Sequence, residues 1–222
     1  SKIESGNLKL EEEKINSNEF FQRIYNQFKP IINKKKKNNK YNLKIDSKLP
    51  DVLIGDESKL RQILINLLGN AVKFTEKGKI NLKVDVINKS DKFVDIKVSV
   101  LDTGIGIPKD KLDIVFNKFM QVDNSNERVY EGDGLGTAIS KELVELMDGE
   151  IKVKSPNPYI KSDFPGSVFY FTLRLKYSND LIESKTKSKV EIKNNFNVLL
   201  AEDNLVNAKI TRKILEQLGC NV

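Results

Sequence analysis

The segment 93–101 places Val94, Ile96, Val98 and Val100 on one side of an extended chain. Successive strand side chains point to opposite faces, so this period-two run reads as a strand with one buried face. Asp102 has the same parity and stands at the strand's end, pointing inward. A carboxylate buried there must find hydrogen-bond donors. Whatever this chain folds into has to form a sheet around that strand and supply those donors.

The surrounding pattern alternates helices and strands. Residues 8–15 alternate at their start and read as an edge strand. Asn16 and Glu19 form a capping box for a helix over 17–35 that buries Phe20, Phe21, Ile24, Phe28 and Ile31 or Ile32. Strands follow over 41–45 and, beyond a long helix capped by Asp56 and running to Phe74, over 80–87, joined to 93–101 by a turn at 88–91. Residues 50–55 are a short segment punctuated by Pro50 and Gly55. Residues 121–136 are polar and glycine-rich without periodicity, a long loop. A helix over 135–147 and strands over 150–154 and 166–176 complete this part, and 177–195 is a charged linker. The remaining 196–222 offer one apolar strand, 196–201, and one helix, 204–218. At 222 residues the chain has room for one full domain and part of another.

Three clusters carry chemistry. On the helix 56–74, Leu60, Ile63, Leu64, Leu67, Leu68 and Ala71 form an apolar stripe, and Gln62, Asn66, Asn70 and Lys73 share the adjoining arc. Amide oxygens can ligate a hard cation, and amide N–H groups and a lysine can meet phosphate; the same asparagines could equally bond neighbouring backbone. In Asp102-Thr103-Gly104-Ile105-Gly106, the aspartate either accepts from an exocyclic amine such as adenine's or caps a tight turn, and the glycines permit close backbone approach. Gly132-Asp133-Gly134-Leu135-Gly136-Thr137 stands directly before a helix, whose first N–H groups favour phosphate. There is no GxxxxGK[ST] run, and this stretch lacks the strand spacing of a dinucleotide fold.

Four segments in order, RQILINLLGNAVKFT, VLDTGIGIP, VFNKFMQVD and GDGLGTAISKELVELMDGEI, followed by GSVFYFTL, resemble the ATP-binding domain of sensor histidine kinases, within the gyrase, Hsp90, kinase and MutL ATPase superfamily. The resemblance implies a two-layer α/β sandwich with a mixed sheet over residues 8–176. It implies ATP and Mg²⁺ as cofactors, with Asn66 on the metal, Asn70 and Lys73 on phosphates, and Asn66 and Lys73 catalytic. Asp102 would read adenine in a pocket shaped by Gly104 and Gly106. Phe116 and Phe119 would pin the base of a lid, and Arg128 would reach phosphate from it. Gly132, Gly134, Leu135 and Gly136 would form the hinge and phosphate cradle, and Thr137 would be a further ATP-binding residue. Asp133 stands where the family usually has a hydroxyl, and Asn117 and Lys118 replace a usual Glu-Pro; these departures bear on rate more than on fold.

Residues 1–7 look like the end of the family's dimerisation helices, and 196–222 resemble the opening of a receiver domain, an incomplete β-α unit in which Glu202 and Asp203 would be the Mg²⁺-binding acidic pair. As acids after an apolar strand they could also simply cap the next helix. The implied protein is a hybrid sensor histidine kinase in a two-component phosphorelay. Its partners are a histidine-bearing dimerisation domain of the same homodimeric protein and a receiver or phosphotransfer protein. The chain contains no histidine, so the phosphoacceptor is not in it.

Two other readings compete: a degenerate nucleotide-binding scaffold, and a gyrase-, Hsp90- or MutL-like hydrolase. The hydrolases use a glutamate one turn before the metal-binding asparagine, and here Gln62 cannot act as a base. The net charge of +7 draws on Lys34 to Lys37 and Lys40, without interleaved aromatics; this fits a solvated helix end, and no nucleic acid is expected. One cysteine excludes an internal disulfide, and no apolar run is of membrane-spanning length. The expected location is the cytoplasm, or the cytoplasmic portion of a membrane-bound sensor.

Overall fold

The structure is a computed structural model describing residues 9–35, 39–118, 134–159, 164–178, 196–201, 212, 215–216 and 219–222. The chain divides into two compact units, Ser1–Ile182 and Glu183–Val222. In the first unit the described residues form three α-helices, α1 (Ser17–Lys35), α2 (Glu57–Phe74) and α3 (Gly136–Leu146), and one short 3-10 turn, Lys109–Lys111. They also form seven strands: β1 (Glu13–Asn16), β2 (Lys40–Ile45), β3 (Val52–Gly55), β4 (Lys79–Lys89), β5 (Phe93–Asp102), β6 (Glu150–Lys154) and β7 (Val168–Ser178).

The strands make one sheet in the order β1-β3-β7-β5-β4-β2, with β6 also on β7. β2 runs parallel to β4 and every other pairing is antiparallel, so the sheet is mixed. β7 is long enough to serve two neighbours on one edge. Its start pairs with β6 and its last residues, Lys176 to Ser178, pair with β3. Residues 50–55, read only as a punctuated segment, therefore contain a strand, β3.

The period-two and period-3.6 patterns meet on one side of this sheet. Ile80, Leu82 and Val84, Val94 to Val100 at alternate positions, and Phe169, Phe171, Leu173 and Leu175 are buried against the helices. From α1 come Phe20, Phe21, Ile24, Phe28 and Ile32; Ile31 is 42% exposed, which decides between the two isoleucines. The whole predicted stripe of α2 is buried, with Val72 in addition. The other sheet face is polar: Arg174 makes a two-pronged pair with Asp95, and Lys97 lies over the Tyr170 ring. One covered and one solvated face make a two-layer sandwich.

Local chemistry sets the helix starts. The Asn16 Oδ1 accepts from the Glu19 N–H at 3.1 Å, half of the expected capping box. Asp56 caps α2 by accepting from the Lys59 N–H at 3.0 Å and the Ser58 hydroxyl at 2.7 Å.

In the second unit, the expected buried strand over 196–201 is not formed. Among the described residues its pairing is a single parallel bridge between Asn197 and Asn221, and Leu199 is 97% exposed. An isolated apolar run has no neighbouring strand to satisfy its backbone and nothing to cover both faces. Residues 212, 215 and 216 are helical.

Candidate functional site

Asp102 ends β5 and is 4% exposed. Its Oδ1 accepts from the Gly104 N–H at 2.8 Å and the Ser167 N–H at 3.2 Å. Its Oδ2 accepts from the Ser167 hydroxyl. Burial pushes this carboxyl above the ordinary carboxylate range, opposed by the bonds from Ser167 and Gly104. Both sequence readings of the aspartate are thus compatible. It caps the turn through Gly104, and Oδ2 retains a lone pair for a further donor.

The glycines of this turn approach protein backbone and side chains. A Cβ on Gly104 would stand 2.3 Å from the Phe74 carbonyl oxygen, which also accepts from the Ile105 N–H at 3.3 Å. Gly106 has φ +74° and lies against Pro165. The C-terminal end of α2 is therefore welded to the Asp102 turn.

Sequence reasoning missed the brace on the other side of that turn. Asn157, buried, donates to the Asp102 carbonyl at 2.8 Å. The Ser155 hydroxyl accepts from the Ile107 N–H and donates to the Gly166 carbonyl, both at 2.8 Å. Together with Ser167, these come from the β6–β7 connection, more than fifty positions along the chain. The available signal was its three prolines, Pro156, Pro158 and Pro165, which mark a loop and not its target.

At the other end of the site, α2 meets the start of α3. The Asn66 Nδ2 donates to the Gly136 carbonyl at 3.1 Å and the Ser140 hydroxyl at 3.4 Å. A carbonyl can only accept, so the amide nitrogen must face Gly136 and Oδ1 is turned away from it. Leu135 occupies the cap position of α3 and its side chain cannot accept, so side-chain capping does not satisfy the first N–H groups of α3. Gly134 precedes it at φ +64°. Asn70 and Lys73 are half-buried on the same helix, with the Lys73 ammonium 4.8 Å from the Phe74 ring centre. Asn66 and Phe74 are eight positions apart, which spans about 12 Å of helix.

Thr137 does not present its hydroxyl to this opening; it donates to the Val115 carbonyl at 2.7 Å. Phe116 packs edge-on against Phe169 with ring centres 6.0 Å apart. Gln62 is exposed. Phe119, Arg128, Gly132, Asp133, Glu202 and Asp203 lie outside the described residues, as do residues 121–132. Among the described residues no cluster of three acidic, cysteine or histidine side chains forms a metal centre, and no helix is long and apolar enough to cross a membrane.

A mixed sheet with helices on one face thus carries a buried strand-end aspartate at one end of α2 and an uncapped helix start facing an asparagine further along it. Residues 55–177, more than half of the chain, match the family of histidine kinase-, DNA gyrase B- and HSP90-like ATPases, and the chain belongs to that family.

Its relatives are two-component proteins. It is 34% identical over 230 residues to hybrid signal transduction histidine kinase K of Dictyostelium discoideum, covering 99% of this chain and 18% of that protein. It is 40% identical over 191 residues to two-component system protein A of Emericella nidulans, covering 79% and 27%. The chain thus spans about a fifth to a quarter of these relatives. Among solved structures it is similar to full-length ShkA in complex with AMPPNP, with a TM-score of 0.64 and 26% identity over 96% of this chain and 40% of that one. The mycobacterial sensor histidine kinase MprB shares the fold, with a TM-score of 0.60 and 22% identity over 76% of this chain and all of that one.

Proposed function

We propose that this chain is the ATP-binding catalytic part of a hybrid sensor histidine kinase, which holds Mg²⁺-ATP and donates its γ-phosphoryl group to a histidine on a dimerisation domain. The observation that carries this reading is the pair of polar ends on one stretch of α2. Asp102, buried and with one acceptor position left, belongs to the turn that meets the Phe74 carbonyl; Asn66, which faces the uncapped α3 start, lies about 12 Å of helix rise before Phe74, a span that an extended nucleoside triphosphate covers.

In this reading Asp102 accepts from the adenine amine, while Ser167 and Gly104 hold its carboxylate still. Asn70, Lys73 and the first turn of α3 meet phosphate, with Gly134, Leu135 and Gly136 setting the approach, and Arg128 and Gly132 contribute from the lid. The donor set fits Mg²⁺: Asn66 offers a hard amide oxygen whose direction is set by the bond to Gly136. The ion, when bound, supplies electrostatic stabilisation of phosphate charge; the chain's residues orient the nucleotide for in-line transfer.

The division into an ATP-binding domain over 8–176, a linker and the start of a receiver over 196–222, with Glu202 and Asp203 as its acidic pair, belongs to the same proposal. It is supported by the two compact units. The phosphoryl acceptor must come from a partner domain, because the chain has no histidine. Exposed Gln62, an amide and not a base, argues against the hydrolase reading.

Calorimetric titration with Mg²⁺-ATP, followed by mixing with a histidine-bearing dimerisation domain of a hybrid kinase, tests this. Saturable binding and acid-labile phosphate on the partner are expected. Acid-labile phosphate on this chain alone, or no binding, would overturn the reading.

A further inference from the structure

Threonine is an indifferent helix former, and in a helix its hydroxyl usually bonds a carbonyl of its own preceding turn. Thr137, the second residue of α3, does otherwise. Its hydroxyl reaches a carbonyl twenty-two positions earlier, that of buried Val115, at 2.7 Å. Two further contacts fasten the same stretch. Phe116 packs edge-on to Phe169 of β7, and the Lys118 ammonium pairs with Glu142 of α3 at 2.8 Å. Residues 115–118 are thereby clamped to α3 and to the sheet.

The start of α3 is held from two sides. Asn66 on α2 grips the Gly136 carbonyl, and Thr137 grips Val115 from the adjacent residue. Orphan N–H groups of a helix can meet phosphate only where that first turn is fixed relative to the rest of the site. We infer that Thr137 is a positioning residue: its bond to Val115 sets the first turn of α3 for the phosphate end of the nucleotide. This rests on the proposed nucleotide site and assigns Thr137 a role other than contact with phosphate. It also predicts selectivity, because the adenine end, built from β5, β7 and the β6–β7 connection, does not depend on this bond.

The test compares Mg²⁺-ATP and adenosine binding to the full chain, by calorimetric competition, in wild type, Thr137→Val and Thr137→Ser. Valine keeps the branched shape and deletes the donor; serine keeps the donor. Thr137→Val should weaken Mg²⁺-ATP about tenfold, the effect of one lost hydrogen bond, and leave adenosine unchanged; Thr137→Ser should return ATP affinity to within about threefold of wild type. Wild-type ATP affinity in Thr137→Val overturns the inference. So does a parallel loss of both ligands with a lowered unfolding midpoint, which would make Thr137 a packing residue only. A wild-type chain that binds neither ligand overturns the nucleotide site itself and this inference with it, a result distinct from failure at Thr137 alone.

Discussion

Replacing Asp102 by asparagine preserves the shape of the side chain and exchanges one acceptor for a donor. The two N–H groups on Oδ1, from Gly104 and Ser167, belong to backbone that is held on both sides, so the amide oxygen must stay with them. The amide nitrogen then takes the place of Oδ2. The Ser167 hydroxyl there can rotate to accept, but the adenine amine of the proposed ligand cannot.

One buried hydrogen bond is lost to the ligand, at about 1–3 kcal/mol; a middle value of about 2 kcal/mol is roughly a thirtyfold rise in Kd. ATP at one hundred times the wild-type Kd stabilises the folded chain by about 2.7 kcal/mol, and the same concentration stabilises the variant by about 0.9 kcal/mol. At about 2–4 °C per kcal/mol, the nucleotide-dependent rise in Tm falls from roughly 5–11 °C to roughly 2–4 °C.

Without nucleotide the direction reverses. Burial raises the pKa of Asp102, so its contribution to stability is complete below the unfolded carboxylate pKa and is lost as pH rises through the raised folded value. Asparagine removes that charge, and at neutral pH the empty variant should melt at or above the wild-type temperature. Thermal unfolding with and without Mg²⁺-ATP reads both effects. A variant that keeps the full ligand shift removes Asp102 from the site. One that melts several degrees lower when empty refutes the claim that burial outweighs the bonds to the carboxylate.

Asn66→Ala deletes Oδ1 and the grip on Gly136, whose carbonyl still accepts from the Ser140 hydroxyl at 2.8 Å. Stability should therefore fall by no more than about 1 kcal/mol, while the gain in ATP affinity on adding Mg²⁺ disappears; an undiminished gain in titrations with and without EDTA would clear Asn66 of metal binding. Asp56→Ala removes the α2 cap and should cost about 1–2 kcal/mol at neutral pH in urea unfolding. Burial alone would raise the Asp56 pKa, but the bonds from Lys59, Ser58 and Glu11 outweigh it and the net shift is downward. Its contribution is thus present above the unfolded pKa and lost as pH falls through the lowered folded value. The gap between wild type and variant should close in acid, and a gap that stays constant would contradict the electrostatic account.

Much of this fold could be read from local periodicity. The stripe of α2 and the alternation of β5 specify element type and buried face, because each depends only on how side chains repeat along a helix or a strand. The inward aim of Asp102 followed from parity, and the cap at Asp56 from its place before an apolar-periodic run. The glycine-rich stretch before α3 and the amides on α2 mark the phosphate end of the proposed site.

Other features depend on partners far along the chain. The four residues of β3 are too few to show a period, and they become a strand because β1 and β7 offer backbone on either side. The apolar run at 198–200 is the converse, a strand-like sequence whose one described partner is a single bridge. Ser155, Asn157 and Ser167 carry no local mark of their task, since it exists only once β7 is laid beside β5 and the connection before it falls across the Asp102 turn. Thr137 reads in sequence as one more residue of a phosphate loop. Its hydroxyl has several possible acceptors in an extended chain, and only the folding of residues 115–118 against α3 and β7 brings the Val115 carbonyl to 2.7 Å. The chain itself encodes which faces must be buried; the folded sheet decides which buried polar groups find each other, because the bonds of Thr137, Asn157, Ser167 and Asn66 join atoms 22, 55, 65 and 70 positions apart.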